Sequence, residues 1–102
     1  MDLSVDWKLP VGAYTFIVRN APGHSPGSCI FYCQAAGILF AGDLVFRLSV
    51  GRTDLPGGDW ETLLESIRSL VYTLPGETRI LPGHGPETQV GEERCKNPYV
   101  KT

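Results

Sequence analysis

The chain contains two histidines, and proline and glycine frame both of them. The first lies in Ala21-Pro22-Gly23-His24-Ser25-Pro26-Gly27-Ser28 and the second in Leu81-Pro82-Gly83-His84-Gly85-Pro86. Each proline fixes its own φ, and each glycine can take backbone conformations closed to other residues. The imidazoles are therefore presented on stiff, tight loops. Between them an apolar run ends in a carboxylate, Phe40-Ala41-Gly42-Asp43. Two neutral imidazoles and one carboxylate form a donor set that suits zinc, iron or manganese. The plain alternative is that each histidine is a hydrogen-bonded loop residue of a small α/β protein.

The elements that must position these side chains can be read from residue type and period. Tyr14-Thr15-Phe16-Ile17-Val18-Arg19 is dense in β-branched and aromatic residues and reads as a strand, with residues 20–28 as the first histidine loop. Cys29 to Cys33 and Gly37 to Ala41 read as two further strands, and the short Gln34-Ala35-Ala36-Gly37 link makes them an antiparallel hairpin. Residues 44–58 hold Gly51, Pro56, Gly57 and Gly58 and read as a long irregular loop, a type that is usually functional. Trp60, Leu63, Leu64, Ile67, Leu70 and Val71 then recur at helical spacing. Asp59 is placed to cap that helix, Glu61 lies in its first turn, and Pro75-Gly76 ends it. Trp60 and the leucines are expected in the core. Thr78 to Leu81 is a fourth strand running into the second histidine loop, and residues 92–97 form a last helical turn. Residues 1–11 read as a lead-in segment, and 12–102 as one partial domain.

Size and composition bound the partners. With 102 residues the chain is at most one small domain, and 42% hydrophobic with 20% charged residues is ordinary globular composition. A net charge of -2 gives no electrostatic case for nucleic acid or an anionic membrane. No apolar run approaches the roughly 20 residues needed to span a bilayer. The first residues lack the basic and apolar regions of a secretory signal, so a cytoplasmic setting is expected. Three cysteines without a Cys-x-x-Cys pair indicate neither a disulfide framework nor a zinc knuckle. Cys29 and Cys33, four apart in a strand, read as small buried hydrophobes.

Five motifs in order resemble the C-terminal half of the metallo-β-lactamase superfamily, in its glyoxalase II-like (hydroxyacylglutathione hydrolase-like) branch. They are residues 21–28, Leu39-Phe40-Ala41-Gly42-Asp43, Ser49-Val50-Gly51-Arg52-Thr53-Asp54-Leu55-Pro56-Gly57-Gly58, residues 81–86, and Gly91-Glu92-Glu93-Arg94 with Asn97-Pro98. The resemblance implies an α/β fold: the second half of an αββα sandwich, a mixed sheet with one main covering helix, incomplete as a monomer. It also implies that His24, Asp43 and His84 are metal ligands, with Asp43 bridging two metal positions and acting as the catalytic ligand. Arg52 and Asp54 would brace the site from the neighbouring loop. The implied cofactor is Zn2+, with Fe2+ or Mn2+ as alternatives, because a single iron serves persulfide oxidation in some relatives. The implied reaction is attack of a metal-bound hydroxide on a small thioester-type substrate.

The chain departs from the family in one large respect. The family's other ligands come from an N-terminal His-x-His-x-Asp-His motif, and with two histidines in all this sequence cannot contain it. Three ligands are fewer than a complete dinuclear site needs, so the site is partial and the chain is expected to be inactive alone. Two functional readings remain open. In one the chain supplies the C-terminal ligands of a metallo-hydrolase and needs an N-terminal half. In the other it is a catalytically inactive truncated module that dimerises, or docks on a partner, through its uncovered sheet. A free strand edge is expected at Tyr14 to Arg19. Glutathione recognition in relatives uses a further C-terminal segment that this sequence lacks, which leaves the generic metallo-hydrolase label.

Overall fold

The computed structural model describes residues 7–25, 28–54 and 56–101. Eight strands and two helices follow in the order β1 (Trp7–Val11), β2 (Tyr14–Asn20), β3 (Cys29–Cys33), β4 (Ile38–Gly42), β5 (Val45–Phe46), β6 (Ser49–Val50), α1 (Trp60–Ser66), β7 (Arg79–Pro82), β8 (Thr88–Gln89) and α2 (Val90–Lys96). Six strands form one sheet in the order β1-β2-β3-β4-β7-β8, and β5 with β6 forms a separate small hairpin. All pairings in the large sheet are antiparallel except β4 with β7, which is parallel. This is a mixed α/β sheet, as the resemblance implied.

The topology bears directly on the site. Because β2 is antiparallel to β3 and β3 to β4, β2 points the same way as β4 and its parallel neighbour β7. The C-terminal ends of β2, β4 and β7 therefore share one edge of the sheet. Residues 24, 43 and 84 each come just after one of those ends.

The two sheet faces differ. Register places Ile17, Tyr32, Leu39 and Ile80 side by side on one face. The last three of these pack with Leu63, Leu64, Ile67 and Val71 into the core, which Val90 of α2 and Val100 also join. Burial of this kind, at about 25 cal/mol per Å² of apolar surface, is what holds the helices down. Asp59 caps α1: its carboxylate accepts the Thr62 amide at 3.2 Å, as its sequence position indicates. Past Ser66 the helix runs on into one wider turn, Ile67–Val71, closed by Tyr72 N donating to Ile67 O at 2.9 Å. Hydroxyls of Ser69 and Thr73 bond back to the carbonyls four residues earlier, a contact that competes with regular helix bonding.

The opposite face carries Trp7, Leu9, Val11, Tyr14, Phe16, Phe31 and Phe40 in register across β1 to β4. Trp7, Leu9, Val11, Tyr14 and Phe40 are each between 42% and 52% exposed. One helical layer thus covers one side of the sheet and leaves an apolar side open, in keeping with an incomplete sandwich.

Several expectations need correction. Residues 7–11, read as lead-in, form edge strand β1, so the edge at Tyr14 to Arg19 is paired and not free. Pro10 is tolerated because β1 is the outermost strand, and Gly12 supplies φ +61° in the turn. The irregular passage after Asp43 contains the β5–β6 hairpin, whose turn holds Leu48 at φ +58°. Trp60 is 41% exposed and meets the Tyr99 ring edge-on at 6.4 Å, so it lies outside the core. Cys33 is buried, Cys29 partly so, and Cys95 exposed. The expected Pro26-Gly27 half of the first loop's frame and Leu55 lie outside the described residues.

Candidate metal centre

Two hydrogen bonds to backbone carbonyls seat the His24 loop on α1. Asp59 N donates to Gly23 O at 2.8 Å, and the Ser66 hydroxyl donates to Pro22 O at 2.7 Å. Gly23 has φ +133°, and a Cβ there would lie 2.3 Å from the Leu63 Cα. Only glycine lets the loop lie this close to the helix. Below the loop, Ala21 N donates to Ser28 O at 2.7 Å and closes its base.

His24 is fixed by the loop after β6. Its Nδ1 stands 2.9 Å from the carbonyl oxygen of Arg52. A carbonyl only accepts, so the network assigns the ring proton to Nδ1 and leaves the Nε2 lone pair free. That nitrogen faces Asp43, with 3.7 Å between Nε2 and Oδ2. The distance is too long for a hydrogen bond. It is a little wider than the spacing of two ligands on one tetrahedral cation, about 3.4 Å for donors each about 2.1 Å from the ion. A ligating histidine whose other nitrogen donates to a backbone carbonyl is the usual supporting arrangement at a metal.

Asp43 sits in the middle of the group. Its other oxygen, Oδ1, accepts from His84 Nδ1 at 3.1 Å. One carboxylate thus offers one oxygen to each imidazole. The parallel β4–β7 pair brings it beside His84: Gly83 N donates to Gly42 O at 2.8 Å, and a Cβ on Gly83 would stand 3.0 Å from Asp43 Oδ1. On the other side, a Cβ on Gly51 would lie 1.9 Å from the Asp43 carbonyl oxygen. The two glycines let both loops close on the aspartate.

His24, Asp43 and His84 share a cavity of about 310 Å³ with Phe46, Ser49, Val50, Gly51 and Arg52. Side-chain exposure rises across the group from 22% at His24 and 43% at Asp43 to 80% at His84. Among the described residues no three His, Cys, Asp or Glu side chains are placed to hold a metal ion by themselves. The group is an open row with Asp43 at its centre, and its donors fit a divalent cation as part of a coordination shell.

The loop expected to brace the site holds an ion pair of its own. The Arg52 guanidinium turns onto Asp54 in a two-pronged contact of 2.8 and 3.0 Å. That bond holds the Asp54 carboxyl below its ordinary range and pushes the guanidinium's pKa up. Arg52 steadies the site through its backbone carbonyl, and Asp54 does not line the cavity. Phe46 was missed by sequence reasoning: its ring stands 6.2 Å from that of His84. An apolar residue three positions beyond a candidate ligand was the available signal.

The family model of the metallo-β-lactamase superfamily matches residues 15–84. A probable metallo-hydrolase, YqgX, of Bacillus subtilis is 45% identical over 95 residues, which is 93% of this chain and 45% of that protein. The hydroxyacylglutathione hydrolase GloC of Haemophilus influenzae is 37% identical over 94 residues, 92% of this chain and 44% of that protein. Among solved structures, the B3 metallo-β-lactamase BLEG-1 superposes with a TM-score of 0.88 at 46% identity, over 93% of this chain and 46% of that one. TTHA1623 in a di-iron-bound form gives a TM-score of 0.80 at 50% identity, over 83% of this chain and 42% of that one. The chain spans a little under half of the length of each of these relatives. With its family profile and its sheet in agreement, the chain belongs to the metallo-β-lactamase superfamily.

Proposed function

We propose that this chain carries the C-terminal ligands of a metal-dependent hydrolase that cleaves thioester-type substrates. The observation that carries the reading is the placement of Asp43 between two imidazoles, on loops leaving three strands that point the same way. His24 through Nε2, Asp43 and His84 would hold the metal, with Zn2+ the favoured ion. Fe2+ is the main alternative, given the di-iron form of the similar TTHA1623, and Mn2+ suits the same donors. A divalent cation bound there supplies Lewis acidity and brings the pKa of water toward neutrality.

This chain's own residues do the rest. The Arg52 carbonyl holds the His24 proton on Nδ1, so that Nε2 stays available. Phe46 and Val50 form an apolar wall beside the two histidines, suited to the acyl part of a substrate and to limiting water. Similarity to a hydroxyacylglutathione hydrolase supports the thioester class. The described helices include none long and apolar enough to cross a membrane, and none of the three cysteines is in a disulfide. We take the cytoplasm as its setting on that basis, since thiols stay reduced there.

The remaining ligands would come from an N-terminal half packed on the open apolar face of β1 to β4. Assays of S-lactoylglutathione hydrolysis with added zinc test this, comparing the chain alone with the chain plus the part of the Bacillus subtilis relative that it does not match. Turnover is expected only in the mixture. Turnover by the chain alone contradicts the half-site. A mixture that binds metal but leaves the thioester intact contradicts the substrate class. The open face also favours a second reading, an inactive docking module. A stable, metal-free and inactive complex would select it.

A further inference from the structure

Glu93 is fully buried, with 0% exposure, on α2. Its carboxylate accepts three hydrogen bonds, all from uncharged donors. Leu48 N donates to Oε1 at 2.8 Å and Asn97 Nδ2 to the same oxygen at 3.0 Å. The Thr88 hydroxyl donates to Oε2 at 2.6 Å. Burying a carboxylate against neutral donors is a costly way to anchor a helix, because the lost hydration is repaid only in part. An apolar residue would fill the same space more cheaply. What a carboxylate does here, and a leucine could not, is take the backbone N–H of Leu48.

That residue is the one non-glycine with positive φ among the described residues, at +58° in the β5–β6 turn. Such a backbone persists where its surroundings over-determine it. Asn97 adds a second tie, since Nδ2 also donates to Ser49 O at 3.0 Å. The hairpin held in this way leads straight into the wall of the metal site. Gly51 N donates to Leu44 O at 3.0 Å, and one residue further on the Arg52 carbonyl receives the His24 Nδ1 proton.

We infer that Glu93, with Asn97, is a positioning residue that sets the tautomer and orientation of His24 by fixing the β5–β6 hairpin. The inference rests on reading His24 and Asp43 as the site. Its test requires neither metal nor turnover, so it can fail while the hydrolase reading stands.

The test uses long-range 1H–15N spectra of the histidines in the metal-free 102-residue chain, at a pH of about 8.5 where an ordinary imidazole is neutral. Unmodified His24 is expected almost wholly as the Nδ1–H tautomer. Glu93→Ala and Asn97→Asp should each raise the Nε2–H population at least about threefold. Glu93→Gln keeps an acceptor for Leu48 N and should retain the unmodified signature. Val100→Ala, a core truncation that keeps the backbone N–H donated to Asn97 Oδ1, should leave His24 unchanged. An unchanged His24 in the folded variants, or an equal shift in Val100→Ala, overturns the inference. Should Glu93→Ala fail to fold, Asn97→Asp and hydrogen exchange of the unmodified chain decide. The Leu48 and Gly51 amides should then show protection within about tenfold of each other, as parts of one opening unit. A wider separation overturns the coupling.

Discussion

Substituting Gly51 by alanine isolates the close approach on which the site depends. Gly51 is not one of the glycines with left-handed backbone, so alanine meets no conformational barrier of that kind. The obstacle is steric: the new Cβ would stand 1.9 Å from the Asp43 carbonyl oxygen. Relieving that contact needs a displacement of roughly 1 Å, because repulsion rises steeply inside the dispersion minimum. Overpacking of this kind costs about 1–3 kcal/mol. The same shift strains the Gly51 N to Leu44 O bond, worth about 0.5–1.5 kcal/mol. Loss of unfolded-state freedom returns about 0.4–1 kcal/mol. The net expectation is a destabilisation of about 2–3 kcal/mol, a fall in Tm on the order of 10–20 °C for a domain of this size.

Gly12→Ala is the matched control. Gly12 has φ +61° and no atom within 4 Å of a built Cβ, so it should cost only the left-handed penalty of about 1–2 kcal/mol. Urea unfolding of both variants, with the slope held constant between them, measures the difference. The reasoning requires Gly51→Ala to be the more damaging. Equal loss in the two variants, or a smaller loss at Gly51, would show that the loop does not press on Asp43.

Two further outcomes follow from the same structure. Asp59→Ala should cost about 1 kcal/mol by removing the acceptor for Thr62 N, and thermal unfolding will register it; no change would mean that water caps α1 equally well. Tyr72 has its phenol pushed up to about 12, chiefly by burial and then by the charge of Glu93, against a smaller opposing effect of Arg68. A raised folded-state value means that its contribution to stability is complete below the ordinary tyrosine pKa of about 10 and is lost as pH climbs towards 12. Unfolding free energy should fall across that window, and Tyr72→Phe should flatten the fall; an unchanged slope in the phenylalanine variant refutes the assignment.

Much of the candidate site was legible because its residues are rare types in rigid frames. The two histidines stand beside prolines and glycines, and Asp43 ends an apolar strand. What the sequence could not show was that β2, β4 and β7 point the same way, since parallel pairing of β4 with β7 is a long-range fact. Strand β1 was hidden by Pro10 and Gly12, which read as breakers although an edge strand tolerates the proline and the turn into β2 uses the glycine. Trp60 was misplaced because helical period identifies a face but not which turn of it is covered. Glu93 was the hardest to read: a glutamate in a charged helical stretch ordinarily faces water, and its burial follows from the hairpin folded over α2.

The central claim is that His24, Asp43 and His84 are half of one metal site. Zinc binding, measured by competition with a chromophoric chelator, tests it most directly. The chain should be mixed with the unmatched part of the Bacillus subtilis relative and compared with the same mixture carrying Asp43→Ala. Stoichiometric, tight binding in the unmodified mixture, weakened at least about a hundredfold by Asp43→Ala, is the result the structure predicts. Binding of equal strength in both mixtures would contradict it.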